Sequence, residues 1–392
     1  MYFYMDRIES ELKRILRFWE KNALSNDILY ASNTPLDFEH QEPQTNNVLL
    51  SGIIYGASVL TRFLRNDLPL HIAQMAYSQQ QLVLANPNGG YYFGNTKDGN
   101  IIHDPFSITY THAYIVLSLT EYFKTTNSQT LLTELKTTVD FIEQNLADKD
   151  FGGYLEGFTQ GWQADVSQKK KLSTHIRLME AYANYYQLTS DNSILTSLEE
   201  IIGLIICQFF NDKNLNLQLE FSRNWDNAVN TNLIGLTAET SWLIFHCAKI
   251  TRNVHLIEQS AHIAVQLTGF IMEYAYDNQY GGVFSELTDY LTPVKTQKEW
   301  WVQTEATLAF LNSYEITNDK TYLYYAARLF EYIDNTFSDA NNGEWHDTVT
   351  REGAPVSSSQ IIHHTNSMHH IIRYGIESYK RFKHLAQSKV KL

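Results

Sequence analysis

A two-glycine turn recurs along this chain at nearly constant distance, and it constrains the fold more than any other feature. Gly89-Gly90-Tyr91-Tyr92 returns as Gly152-Gly153-Tyr154-Leu155-Glu156 and as Gly281-Gly282-Val283-Phe284-Ser285-Glu286. A weaker copy reads Asn342-Gly343-Glu344-Trp345. The separations are 63, 129 and 62 residues, so the middle one spans two units. The copy between them falls near 214–221, where Asn211-Asp212-Lys213-Asn214 leads into Leu217-Gln218-Leu219-Glu220-Phe221. One step back from Gly89 lies Asn26-Asp27-Ile28-Leu29-Tyr30. Six copies with a period of about 63 result.

Between the turns the pattern is helical. Ile8, Leu12, Ile15, Leu16 and Trp19 follow the rhythm of an amphipathic helix with one buried face. The segments 107–123, 173–186, 231–248 and 299–314 are apolar nearly all round, which predicts helices buried on both sides. The seven prolines (35, 43, 69, 87, 105, 293 and 355) all fall in loops or first turns of this scheme, where a missing N–H costs little. Each unit is thus an outer helix, a glycine-bearing hairpin and a more buried inner helix. A period near 60 exceeds the roughly 33–47 residues of common two-helix solenoid repeats. Six hairpins closing on themselves predict an all-α chain folded as one (α/α)6 toroid over 1–392, with no linker-like composition break.

Charge narrows the partners. Thirty Lys and Arg against 43 Asp and Glu leave −13, which repels phosphate backbones and anionic lipid, so neither nucleic acid nor a membrane is expected as partner. No stretch approaches about 20 uninterrupted apolar residues. Cys207 and Cys247 are too few for a disulfide framework or a four-thiolate zinc site. The opening MYFYMDRIESELKRIL is acidic and amphipathic, unlike a signal peptide, so a cytoplasmic location is expected. Aromatics reach 13%, which suits both a bulky helical core and a pocket that stacks on sugar rings.

A toroid of this kind carries its chemistry in the central hole, and fold alone does not set the reaction. The polar residues on the predicted inner helices are therefore the candidates. The second offers Tyr110, His112 and Tyr114; the third Ser173, His175, Arg177 and Glu180. The fourth offers Thr237, Glu239 and Trp242, the fifth Trp300, Trp301, Gln303 and Glu305, and the last segment His363, His364, Asn366, His369 and His370. Charged groups among apolar neighbours are either internally paired or facing a polar cavity. The histidine spacings, five from His364 to His369 and seven from His363 to His370, do not match a helical zinc pair, so no metal or other cofactor is expected. Acid–base use of imidazole fits better.

The ordered segments 88–94 (NGGYYFG), 110–123 (YTHAYIVLSLTEYF), 151–165 (FGGYLEGFTQGWQAD), 174–186 (THIRLMEAYANYY), 235–248 (GLTAETSWLIFHCA), 299–314 (EWWVQTEATLAFLNSY) and 343–364 resemble a known group. It is the N-acylglucosamine 2-epimerase and cellobiose 2-epimerase family of (α/α)6 sugar epimerases and aldose–ketose isomerases. That resemblance implies a small-molecule sugar substrate and a proton transfer at C2 through a cis-enediolate, performed by two histidines without metal or redox cofactor. It also implies departures. The acid–base histidine of the fourth inner helix is Leu236 here, the second histidine of the third is Arg177, and a sugar-binding arginine of the first is Gly52. The C-terminal histidine is placed at His364, without the aromatic and arginine that accompany it in the family.

The expected site accordingly has His364 and Glu239 as catalytic groups. Tyr110, His112, His175, Arg177, Trp301, Glu305 and His363 are the expected sugar-binding groups. Arg177 is read either as an anchor for an anionic sugar or as an internal partner of Glu180, Glu239 or Glu156. Two alternatives stay open beside isomerisation: a catalytically silent carbohydrate-binding protein, or hydrolysis or elimination using two carboxylates such as Glu239 and Glu305. A homodimer is the assembly considered.

Overall fold

The computed structural model describes residues 1–23, 43–87, 89–96, 99–102, 108–159, 163–339, 345–356 and 367–388. Its outer helices are α1 (Tyr2–Ala23), α3 (Leu68–Gln79), α5 (Gln129–Asn145), α7 (Asn192–Leu204), α9 (Val254–Phe270) and α11 (Lys320–Thr336). Its inner helices are α2 (Asn47–Leu64), α4 (Ile108–Thr126), α6 (Leu172–Thr189), α8 (Ile234–Thr251), α10 (Trp300–Thr317) and α12 (Ser367–Gln387). Each inner helix packs on the next, and α12 closes the ring on α2 while lying against α1. The twelve helices are the predicted six hairpins.

The two sets differ as their sequences require. On α1, Ile8, Leu12, Ile15 and Leu16 are buried on one face, whereas α10 is buried almost end to end. The two ends of the ring also differ. Inner helices pass to outer ones through short links built on a left-handed residue: Arg65, Asn127, Ser190, Arg252 and Asn318 all have φ between 52° and 60°. Three of the following helices are capped by Asp191, Asn253 and Asp319, whose side chains accept from backbone N–H groups of the first turn. Outer helices return to inner ones through long segments with small antiparallel hairpins, so the N-terminal ends of the inner helices gather at a loop-rich rim.

The repeated turn forms as predicted at three places. Ala85 bridges Tyr91, Ala147 bridges Tyr154, and Tyr276 bridges Val283. The degenerate copy is real, since Phe210 and Asn211 pair with Leu217 and Asn216. Ser338 bridges Trp345 at the weak copy, while the copy at 26–30 lies outside the described residues. The glycines are required by conformation: Gly89, Gly90, Gly152, Gly153, Gly281 and Gly282 all have φ between 70° and 103°.

Two helical stretches, Asn47–Leu64 and Asn192–Phe209, have the length and mean hydropathy of a membrane span, although each is interrupted by polar or charged residues and neither is a continuous apolar run. The first is inner helix α2, 78% buried inside the ring. The second carries a buried face of Ile194, Leu198, Ile201 and Ile202 and packs on α6.

Candidate active site

His112 and His175 were expected to face a sugar, but they are part of the scaffold. Each is completely buried. His112 donates Nδ1–H to the Ile108 carbonyl (2.8 Å) and accepts the Tyr91 N–H on Nε2 (3.0 Å). His175 repeats this with the Lys171 carbonyl (2.7 Å) and the Tyr154 N–H (3.2 Å). On α10 the same position is Gln303, whose Oε1 accepts the Val283 N–H at 2.7 Å. The three side chains thus pin the residue that follows each Gly-Gly pair to the next inner helix. A side chain on Gly90 or Gly153 would collide with the imidazole, its Cβ 2.8 Å from Nε2 in both cases.

This role needs neutral imidazole, and burial pushes both pKa values down to about 4. The unfolded chain takes up these protons near pH 6.5 and the folded chain only near 4, so stability falls as pH drops through that window. Each histidine accounts for up to about 3 kcal/mol of that loss. His112→Gln copies the α10 solution and is expected to flatten the acid limb without loss at pH 7. Urea midpoints at pH 4.5 and 7 for both proteins check this; unchanged acid sensitivity would assign the effect elsewhere.

A charged cluster occupies the axis. Arg177 of α6 bonds Glu180 one turn on and Glu239 of α8, the latter at 2.7 Å. Arg373 of α12 contacts both oxygens of Glu180 at 2.8 and 2.9 Å, and reaches Glu239 and Glu305 with Nη2 at 2.7 Å each. His370, one turn before Arg373, donates from Nδ1 to Glu305 Oε1 at 2.8 Å. All six residues are at most 5% exposed. Cation–π contacts brace the guanidiniums: Arg177 lies 4.6 Å over Tyr114 and Arg373 5.1 Å over Trp242.

This geometry corrects several expectations. Arg177 is taken up by Glu180 and Glu239, which is its internal-pair reading, and it is not open to an anionic substrate. Burial pushes the Glu239 carboxyl up, but Arg177 and Arg373 more than reverse this and hold it well below the ordinary range. Such a carboxylate stays ionised and is a poor proton carrier, so Glu239 serves as a buttress between two cations. Glu305 shows the same balance: burial raises it, while Arg373 and the His370 hydrogen bond bring it below its ordinary value.

Ligand atoms of Glu239, Glu305 and His370 converge within 4.8 Å, a spacing that suits a metal ion. Arg373 Nη2, 2.7 Å from each carboxylate and 3.2 Å from His370 Nδ1, fills that point with a protein cation.

His363 and His364 lie outside the described residues. Among the described residues it is His370 that joins the axis, and a sequence signal for it was available, an arginine one turn on at Arg373. The neighbouring His369 is wholly buried between Tyr55 and Tyr114, with ring centroids 4.6 and 5.2 Å away. Burial and then Arg373 push its pKa well down, so it is a neutral packing group.

Trp301 is brought to the cluster. Its indole is half-buried at the rim, donates to Glu299 at 2.8 Å and lies 6.2 Å from the His370 ring. Tyr110 is also half-buried, edge-on to Tyr114 at 5.1 Å, and makes no contact with the ion cluster among the described residues. Leu236 is half-buried on the first turn of α8. Beside it, Gly235 leaves room for Trp301, because a Cβ there would come within 2.0 Å of the indole. Gly235→Ala is therefore expected to keep α8 intact and swing Trp301 aside. The KM for a sugar should rise about tenfold or more with little change in Tm; an unchanged KM would remove Trp301 from the binding surface.

Fold and site together define an (α/α)6 toroid with a buried ionic axis and an imidazole at its rim-side end. The family model described as N-acylglucosamine 2-epimerase (GlcNAc 2-epimerase) matches residues 45–373, and the chain belongs to that family. The cellobiose 2-epimerase of Dictyoglomus turgidum is 26% identical over 344 residues, covering 85% of this chain and 87% of that one. The structure of cellobiose 2-epimerase from Bacillus thermoamylovorans superposes with a TM-score of 0.86 at 24% identity, covering 97% and 100%. A D-mannose isomerase superposes with 0.79 at 16% identity, covering 96% and 97%. The chain is accordingly an enzyme of the epimerase and isomerase class.

Proposed function

We propose that this chain moves a proton at C2 of a reducing sugar, giving the 2-epimer or the corresponding ketose, with His370 as a proton-transfer group. The observation that carries this reading is the His370–Glu305 pair. With Nδ1–H given to Glu305, the imidazole keeps Nε2 as its basic nitrogen, and the carboxylate stabilises the positive charge that develops when a proton arrives. Trp301 supplies an aromatic face beside it. Family membership supports the substrate class, and the named relatives make cellobiose and mannose the first sugars to try. A two-sided transfer needs a second group, and His364, six residues before His370, is the sequence's candidate for it.

The hydrolytic alternative fits this axis less well. Inverting hydrolysis needs carboxyl groups roughly 6.5–9.5 Å apart with water between them. The Glu239 and Glu305 oxygens lie within 4.8 Å of each other, with Arg373 Nη2 between them.

Proton NMR in heavy water with glucose, mannose, N-acetylmannosamine, cellobiose and uronic or phosphorylated sugars tests the proposal. Loss of the C2 proton signal of one of them is the expected result and names the substrate. Binding of a sugar with no exchange in any of them would replace the proposal with a carbohydrate-binding role.

A further inference from the structure

Glu305 has two carboxylate oxygens with different partners. Oε1 receives His370 and Arg373, as above, whereas Oε2 accepts the indole N–H of Trp242 at 2.8 Å. Trp242 sits one turn after Glu239 on α8, is 2% exposed, and lies under Arg373 and Arg381, whose guanidinium carbons are 5.1 and 5.7 Å from its ring. Its far side belongs to a different space. At the end of the barrel opposite the hairpin rim is a chamber of about 470 Å³, lined by Trp242 together with Glu180, Arg373, His246, Cys247 and others. The indole therefore stands between Glu305 and a chamber large enough to hold several waters.

We infer that Trp242 is a positioning residue for the His370–Glu305 pair: its N–H fixes Glu305 Oε2 and leaves Oε1 for the imidazole. This rests on the proposed function, but it makes a separate claim. A carboxylate held by one oxygen only can turn about its terminal bond. Arg373, already 2.7 Å from Oε1, would compete with His370 for it, and where the ring is also smaller, as in Trp242→Phe, chamber water would reach Oε2. The imidazole would then lose the partner that fixes its tautomer. Because water can replace part of the lost bond, the effect should be a fraction of that from removing the base itself.

The ordinary alternative is that Trp242 fills volume and its N–H merely finds an acceptor, as buried indoles do. Two variants separate these roles: Trp242→Phe, and replacement of Trp242 by benzothienylalanine, which keeps the bicyclic shape and lacks the N–H. The positioning role predicts that both lower kcat by about tenfold to a hundredfold with KM within about twofold. It also predicts that the low-field proton resonance of His370 Nδ1–H shifts or vanishes in the benzothienyl protein while its Tm stays near that of the parent. If the benzothienyl protein keeps full kcat and an unmoved resonance, Trp242 is a packing residue, whatever Trp242→Phe does. Full turnover by His370→Asn would instead remove the pair itself. The resonance reports on Trp242 even if no sugar in the panel reacts.

Discussion

His370→Asn should lower C2-proton exchange by at least two to four orders of magnitude, the usual worth of a positioned acid–base group, while sugar binding persists. Asparagine is the appropriate replacement because its amide N–H can still donate toward Glu305, so the carboxylate is not left with Arg373 and Trp242 alone. It cannot take up a proton. The substitution therefore separates the chemistry of the imidazole from its structural hydrogen bond, and Tm should fall by only a few degrees. Exchange rates in heavy water measure the first quantity and a thermal melt the second. If exchange persists within twofold of the parent, His370 is not the base, and the weight passes to His364.

Arg373→Met should be the most destabilising single change in the molecule. The axis balances Glu180, Glu239 and Glu305 against Arg177 and Arg373, all nearly inaccessible to water. Removing Arg373 leaves three buried carboxylates with one guanidinium, and Glu305 then has no cation except what His370 can offer. Breaking a buried pair from one side costs about 3–5 kcal/mol, a large share of an ordinary stability of roughly 5–15 kcal/mol. Denaturant midpoints measure the loss. A second substitution supplies the control: Arg373→Met with Glu239→Gln removes one of the stranded charges and should recover part of the stability. Equal stability of Arg373→Met and the parent would mean that the cluster is hydrated and not a buried lattice of charge.

Much of the fold was legible because its signals are local. The Gly-Gly turns recur because both residues need positive φ, a backbone requirement visible as glycine wherever it occurs. The degenerate copy near 214–221 could be placed by spacing alone; Leu215 and Asn216 stand where the glycines do in the other copies, and Leu215 takes up the positive φ, 52°. Helix identity followed from how many sides of each segment are apolar.

The site was less legible, and particular residues show why. His112 and His175 resemble functional histidines in an apolar helix. What they do depends on Tyr91 and Tyr154, each 21 residues upstream, and the clue was an offset repeated across two units and echoed by Gln303 and Val283. Of the two described C-terminal histidines, His369 and His370, which one meets the axis depends on where α12 begins and which way its first turn faces. Glu180 and Arg373 are 193 residues apart, and no periodicity connects them.

From the chain alone, then, came the toroid, its six hairpins, the rim of glycine turns and the group of polar residues turned inward, because backbone conformation and burial leave their mark residue by residue. Only the closed ring decided which of those inward groups neutralise one another and, among the described residues, which imidazole meets a carboxylate, His370 against Glu305. Charge pairing across a barrel is set by distances between helices far apart in sequence, and in a water-poor interior those distances determine whether an ionisable group is a brace or a reagent.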